Sequence, residues 1–281
     1  MLLELAVGDA YGMGFEYAPV EFVQTHNNLS AYIRHPHHNI QPGHYTDDTQ
    51  MSLAVAEAIV SGQAWTTQHL ADNFVKAFKR DPREGYAGKF YTFLNRIQDG
   101  TQFLSEIKST SDKSGAAMRA CPIGVFPTVD EVIEKCTLQA KITHDTSDGI
   151  AAANAAALMT HYFLYQQGPK AQLGHFLERH VPDHPWSEPW EGPVGNQGWM
   201  SVRAAVSAII RHNCLSFILK TAVAFTGDVD TVAAIALGAA SCCQEVAQDL
   251  PPHLFDNLER GSYGYNYLLE LDHQLLQLVN P

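Results

Sequence analysis

Apolar residues in this chain gather in long Ala, Leu, Val and Ile stretches. Gly, Asn, Asp or Pro separate them, and no convincing run of alternating β-branched residues appears. The pattern predicts an all-α protein, with helices over about 1–12, 49–61, 66–80, 88–99, 128–142, 148–166, 169–179, 199–212, 215–225, 230–247 and 263–279. Met51 to Val60, Ile150 to Met159 and Val232 to Ala240 are small and apolar around nearly their whole circumference. Such helices have no face to give to water and belong in a core. Two connections are long for a compact domain: 26–45, rich in His, Asn and Pro, and 181–198, rich in Trp, Pro and Gly. Loops of that length are often functional.

A chain of 281 residues, 46% hydrophobic, can bury a substantial core, and no Pro/Gly/Ser-rich linker divides it, so one domain is expected over 1–281. Against 18 basic residues stand 30 acidic ones, a formal charge of −12. That balance argues against a broad field attracting nucleic acid or anionic lipid, so neither is an expected partner, and a polyanionic substrate must be held locally. The five cysteines, Cys121, Cys136, Cys214, Cys242 and Cys243, lack CxxC spacing and read as reduced core residues. The apolar segment Met1 to Val7 is not preceded by basic residues and is interrupted at once by Gly8 and Asp9. No later apolar run approaches membrane-spanning length, so a soluble, cytoplasmic protein is expected.

The chemistry starts at two helix mouths. Thr46-Asp47-Asp48-Thr49 stands directly before the apolar run from Met51, and Gly227-Asp228-Val229-Asp230-Thr231 opens the equally apolar run from Val232. Asp and Thr cap helix N-termini, and capping alone is one reading of both. One cap needs one side chain, however, and each mouth carries two carboxylates, flanked by two hydroxyls at the first and one at the second. Should the mouths converge, four carboxylates share a small volume, and their repulsion demands protons or cations. Oxygen-only donors select hard ions such as Mg²⁺, Mn²⁺ or Ca²⁺ over zinc, and neither segment has the Asp-x-Asp-x-Asp-Gly pattern of a calcium-sensing loop. A metal-assisted hydrolase is the better fit.

At these residues the sequence resembles the ADP-ribosylglycohydrolase family, which includes dinitrogenase-reductase-activating glycohydrolases. The resemblance runs from Gly8-Asp9-Ala10-Tyr11-Gly12-x-x-x-Glu16 through Thr46-Asp47-Asp48-Thr49-Gln50-Met51 and Ser114-Gly115-Ala116-Ala117-Met118-Arg119 to Gly227-Asp228-Val229-Asp230-Thr231. It implies an orthogonal helical bundle with two Mg²⁺ ions, for which Mn²⁺ can substitute, at the bottom of a cleft. Thr46, Asp47, Asp48, Asp228, Asp230 and Thr231 match the family's metal ligands. The same resemblance gives Asp47, Asp48, Asp228 and Asp230 a catalytic part and makes Glu16 an acid that reaches the site from a mobile loop. The residue-level alternative for Glu16 is a surface acid at a helix end. The implied activity is hydrolysis of an ADP-ribosyl link, most plausibly to a protein arginine. Another ADP-ribosyl linkage or a small ADP-ribose-type metabolite is the second substrate reading. A non-catalytic ADP-ribose-binding or structural protein is the third.

Substrate contacts are expected from Ser114, Gly115 and Ala116, whose backbone donors can cradle a diphosphate. Many relatives carry Gly-Asn-Gly where this chain has Lys113-Ser114-Gly115, and the first Gly of the usual Gly-Gly-Asp-x-Asp-Thr is Thr226 here. His144 falls where relatives place a histidine near ribose and diphosphate, with a structural histidine as the alternative. Arg119 reads either as a phosphate contact or, preferably, as a structural arginine bonding carbonyls. Trp190, with Trp186 and Trp199, is a candidate wall for adenine or the acceptor, or else an anchor for its loop. The cluster His35-Pro36-His37-His38 is too crowded to define a metal site alone and is expected to be solvated loop.

Overall fold

The segments without a polar face take the centre of the structure, a computed structural model that describes residues 1–35 and 37–279. Every residue of the helix Val229–Ala240 is buried. So are all residues from Ala151 to Phe163 of the helix Ser147–Leu164. The helix Asp47–Val60 exposes appreciably only Asp47, Glu57 and Val60. Outside them lie two-sided helices such as Thr67–Arg80, which buries Leu70, Phe74 and Phe78 and turns Lys76 and Lys79 to solvent. Among the described residues no strand forms, and extended segments meet only in isolated β-bridges.

The closest pairing joins the first helix, Leu2–Gly12, to Val229–Ala240. Gly8 and Gly12 are four residues apart, so both face the same partner. A Cβ built on Gly8 would lie 2.5 Å from the Ala233 carbonyl oxygen, and one on Gly12 would lie 2.6 Å from Asp230 Cα. Backbone therefore packs on backbone. Asp9, between the two glycines, is carried into the interior beside the start of Asp47–Val60.

The expected helices are present with shifted ends. The first acidic helix begins at Asp47, two residues earlier than expected, because Thr46 takes the cap position. The last all-apolar helix ends at Ala240 rather than at 247, where Ser241 turns its hydroxyl back to Gly238. The segment expected at 88–99 stops at Arg96, and Asp99 caps a separate helix, Gly100–Glu106. Pro169 precedes a short 3-10 turn, Lys170–Gln172, before the helix Leu173–His180. Val20–His26 and Pro252–Asp256 were not expected; with 7 and 5 residues, neither is long enough to display a helical period.

Both long loops remain loops and are tied to the helices at several points. In the first, the Tyr11 hydroxyl accepts from Leu29 N and the Tyr32 hydroxyl donates to the Leu254 carbonyl. In the second, Trp186 is fully buried and donates its indole N–H to the Val181 carbonyl. All five cysteines are unpaired, with Cys121, Cys136 and Cys243 buried. No helix among the described residues is long and apolar enough to cross a membrane.

Gly8→Ala should lower the unfolding free energy by about 1–3 kcal/mol, because its methyl must displace backbone rather than a mobile side chain. A thermal melt followed by circular dichroism measures the loss. An unchanged midpoint would show that the two helices can separate freely.

Candidate metal centre

At the first helix mouth the capping duty falls on groups other than the two acids. Thr46 is the cap residue, and its hydroxyl accepts from Asp48 N at 3.3 Å. Asp9 reaches over from the first helix and accepts from Thr46 N (3.0 Å), the Thr46 hydroxyl (2.9 Å), Thr49 N (3.0 Å) and the Thr49 hydroxyl (2.6 Å). The Asp48 and Thr49 N–H groups of the first turn are thus satisfied without the Asp47 or Asp48 carboxylates. Asp9, a lone acid in an apolar helix with no role evident from the sequence, is the anchor of this mouth. Gly85, with φ of +113°, leaves room for Asp47: a Cβ there would lie 2.6 Å from Asp47 Oδ1.

The second mouth is built differently. Asp228 holds the cap position of Val229–Ala240 yet makes no side-chain capping bond. Its turn is fixed by backbone bonds instead. Val194 N donates to the Thr226 carbonyl at 2.9 Å, Asp228 N to the Val194 carbonyl at 3.1 Å, and Tyr17 N to the Gly227 carbonyl at 2.9 Å. Two successive left-handed residues make the turn, Thr226 at φ +64° and Gly227 at φ +89°. A β-branched residue is strained in that region, which accounts physically for glycine as the usual occupant of position 226.

The mouths converge. The Thr231 side chain stands beside both Asp48 and Asp228, and Ser114 stands beside Asp228. One oxygen each from Glu16, Asp228 and Asp230 lie within 4.8 Å of one another. Oxygens bound to one hard divalent ion at ~2.0–2.6 Å are separated by at most about 4–5 Å, so these three can share one ion. Asp48 Oδ2 and Asp230 Oδ1 are buried without any hydrogen-bond partner. An ionised oxygen in that position is costly unless a cation meets it. The donor set and the orphaned oxygens therefore fit a bound hard cation. Thr46 fits less directly, since its hydroxyl already donates to Asp9 and accepts from Asp48 N, leaving one lone pair.

Crowding shows in the acidities. Burial, then Asp9 and Glu16, raises Asp47 well above the usual carboxylate range. Burial, then Asp9 and Asp47, does the same to Asp48, and burial, then Glu16 and Asp48, to Asp230. Asp228 is pushed up to about 6 by burial and Glu16. Asp9 is also pushed up to about 6 by burial, against the pull of its four donors.

Ser114 leads into the four-residue helix Gly115–Met118. A Cβ on Gly115 would lie 3.0 Å from His144 Cε1 and 3.2 Å from Nε2, so the imidazole edge lies on this turn. Behind it runs a relay. Arg119 donates to Gln139 Oε1 (2.7 Å) and to the Thr143 hydroxyl (2.8 Å), which pairs with His144 Nδ1 at 2.6 Å. The Thr143 hydroxyl, accepting from Arg119, is free to donate to Nδ1, and in that arrangement the ring proton sits on Nε2 facing Gly115. Burial, then the Arg119 charge, lowers the His144 pKa to about 3, so the ring is neutral. Arg119 itself is buried over the Phe74 ring and bonds side chains and a carbonyl, which is its structural reading.

Two expectations need correction. His35 is not solvated: its ring is buried and Nε2 lies 2.6 Å from Glu16 Oε2. His37 is exposed as expected, and Pro36 lies outside the described residues. Trp190 is not an open stacking wall. It is 8% exposed, its ring meets Trp199 edge-on, its indole N–H donates to the Gly192 carbonyl, and its backbone N donates to Ser207 Oγ. It therefore anchors the 181–198 loop, as Trp186 does. Trp199, half-buried and stacked on His184, is the more accessible ring.

The sequence profile described as ADP-ribosylglycohydrolase matches residues 1–281. An ADP-ribosylhydrolase ARH3 of Bos taurus is 31% identical over 143 residues, covering 48% of this chain and 38% of that protein. An uncharacterized protein of Archaeoglobus fulgidus is 27% identical over 160 residues, covering 56% of this chain and 52% of its own. The chain thus spans about half or less of the length of these relatives. It matches more of the ADP-ribosyl-[dinitrogen reductase] glycohydrolase of Rhodospirillum rubrum, at 25% identity over 249 residues, 83% of this chain and 81% of that one. A solved structure of an ADP-ribosylglycohydrolase-related protein complex superposes with a TM-score of 0.74 at 22% identity, over 99% of this chain and 95% of that one, which shows the fold.

The raised carboxyl pKa values carry a stability consequence with a definite sign. A carboxyl whose folded pKa exceeds its unfolded value stabilises the fold below the unfolded value, and that contribution is lost as pH rises through the folded one. For Asp9 and Asp228 the window runs from 3.8 to about 6. Without divalent ions the cluster's contribution should fall across that window. A saturating cation, which substitutes for the protons, should then raise the melting temperature more at pH 7 than at pH 4. An equal rise at both would show that these carboxylates do not bind it.

Proposed function

The chain belongs to the ADP-ribosylglycohydrolase family, and from that premise we propose that it is a Mg²⁺-dependent hydrolase releasing ADP-ribose from an ADP-ribosylated acceptor, with a protein arginine as the leading acceptor. The observation that carries this reading is the convergence of two helix mouths whose carboxylates are not used as caps, with Asp48 and Asp230 oxygens left unpartnered.

Asp47, Asp48, Asp228 and Asp230, with Thr46 and Thr231, would hold two Mg²⁺ ions or Mn²⁺ in their place. Bound there, the ions supply Lewis acidity, orient vicinal ribose hydroxyls and make a nearby water more acidic. The remaining work belongs to the chain's own groups. Glu16, within 4.8 Å of Asp228 and Asp230 oxygens, is placed to take a proton from the attacking water or deliver one to the leaving group. Proton transfer matters because the glycosidic carbon gains oxocarbenium character as the bond to the acceptor breaks. The neutral His144 presents Nε2–H beside Gly115. Together with Ser114 and the first-turn N–H groups of Gly115 and Ala116, it offers donors to ribose and diphosphate oxygens. The reading takes the chain as a cytoplasmic protein, in line with its five unpaired cysteines.

The test incubates purified protein and Mg²⁺ with arginine-, serine- and threonine-linked ADP-ribosyl substrates and with O-acetyl-ADP-ribose, following free ADP-ribose. Release from the arginine conjugate is expected. Asp230→Asn should abolish it while helical circular dichroism stays near the parent's, because Asn preserves the helix start but removes an anionic donor. Glu16→Gln should lower kcat by more than about tenfold, the cautious end of acid–base contributions. Tight ADP-ribose binding without release from any substrate would replace the hydrolase with a binding protein.

A further inference from the structure

Glu16 has a dedicated partner. His35 Nδ1 accepts from His37 N at 3.0 Å and from His38 N at 2.9 Å. A ring nitrogen receiving backbone donors cannot carry the ring proton, so that proton resides on Nε2. Nε2 lies 2.6 Å from Glu16 Oε2, and the bond is shielded, with the imidazole side chain 1% exposed and the carboxylate side chain 20%. We propose that His35 is a positioning residue: its Nε2–H holds Glu16 Oε2 and thereby keeps the Glu16 carboxylate against the Asp228 and Asp230 carboxylates. The proposal rests on the reading of Glu16 as the proton-transfer group.

The backbone supports this alignment from both sides. A Cβ on Gly14 would lie 2.7 Å from the Ile33 carbonyl oxygen, so only glycine lets the turn before Glu16 lie directly against the strand of loop that carries His35. On the other flank Tyr17 adopts φ of +49° and donates its N–H to the Gly227 carbonyl. Strain of that kind persists only where the surroundings impose it. Glu16 is therefore held between a histidine and the turn that bears Asp228. A carboxylate pointing at two like-charged neighbours would otherwise swing towards solvent, since repulsion and hydration both favour that rotamer. The Nε2–H bond opposes the swing.

A competing role would confine His35 to organising its own loop through Nδ1, and side-chain geometry separates the two. In His35→Asn, Oδ1 takes the place of Nδ1 and can still accept from residues 37 and 38, but nothing reaches Glu16. In His35→Gln, the amide nitrogen takes the place of Nε2 and restores a donor to Glu16. Positioning predicts that Asn lowers kcat by about tenfold or more while KM and Mn²⁺ affinity stay within about twofold, and that Gln recovers most of kcat. The double variant with Glu16→Gln should be no slower than Glu16→Gln alone. Turnover by the Asn variant equal to the parent's, or Gln no better than Asn, would overturn the proposal.

A failure of the hydrolase reading is distinguishable, because two-bond ¹H–¹⁵N spectra of the metal-free parent report the contact without any turnover. They should show the His35 ring protonated at Nε2, with a resonance that moves in Glu16→Gln. A ring protonated at Nδ1, or one indifferent to Glu16→Gln, would remove the contact and the proposal with it.

Discussion

Several carboxylates in one buried volume set the terms for everything around them. Asp48, Asp228 and Asp230 are nearly inaccessible, Asp47 and Glu16 are half-buried, and Asp9 lies directly behind. Two unit charges about 4 Å apart repel by roughly 4 kcal/mol even at an effective dielectric of 20, and several such pairs exceed what a typical fold can spare. Protons or cations must make up the deficit. Protons do so at the expense of the donor capacity that makes the site useful, whereas a divalent ion uses it. The unpartnered oxygens of Asp48 and Asp230 mark where that demand is greatest.

The scaffold meets this demand by relieving the acids of structural duty. A helix beginning Thr-Asp-Asp would ordinarily spend a carboxylate on its own first-turn N–H groups. Here Asp9 reaches across from another helix and satisfies Thr46 and Thr49, so Asp47 and Asp48 are left over. That reach depends on the backbone contact made by Gly8 and Gly12, because a wider spacing of the first helix would withdraw Asp9 and shift Asp230 together. At the other mouth, backbone bonds through Val194 and Tyr17 hold the turn and leave Asp228 uncommitted. Packing, capping and candidate chemistry are thus one arrangement seen at three scales.

Much of this was legible in the sequence, for identifiable reasons. Helices apolar all round announced the core, and paired acids before such helices announced a buried acidic cluster that could hold a metal, since a one-dimensional pattern records both. The role of Asp9 was not legible, because a lone acid in an apolar helix gives no sign of which distant N–H groups it will meet. Gly85 was invisible for the same reason. His35 was misjudged because a histidine-rich loop looks solvated until the fold shows that Gly14 draws it against the Glu16 turn. Trp190 was misjudged in the opposite sense: its large face is spent on holding its loop, while Trp199 keeps the more open ring.

The proposed ligand adds a further constraint, since ADP-ribose is an anion approaching a chain of net charge −12. Arg119, the basic residue of the Ser114–Arg119 element, is buried, with burial lowering its pKa to about 10, and it bonds Gln139 and Thr143 rather than facing the turn. Its charge acts at one remove by helping to keep His144 neutral, so the edge beside Gly115 offers a donor hydrogen bond rather than a full positive charge. The diphosphate would then be held by neutral N–H groups, which bind it by geometry more than by attraction at a distance. In that arrangement the cations held by the two helix mouths must offset the carboxylates before an anionic ribose phosphate can approach. Metal would thus govern admission of the ligand as well as its cleavage.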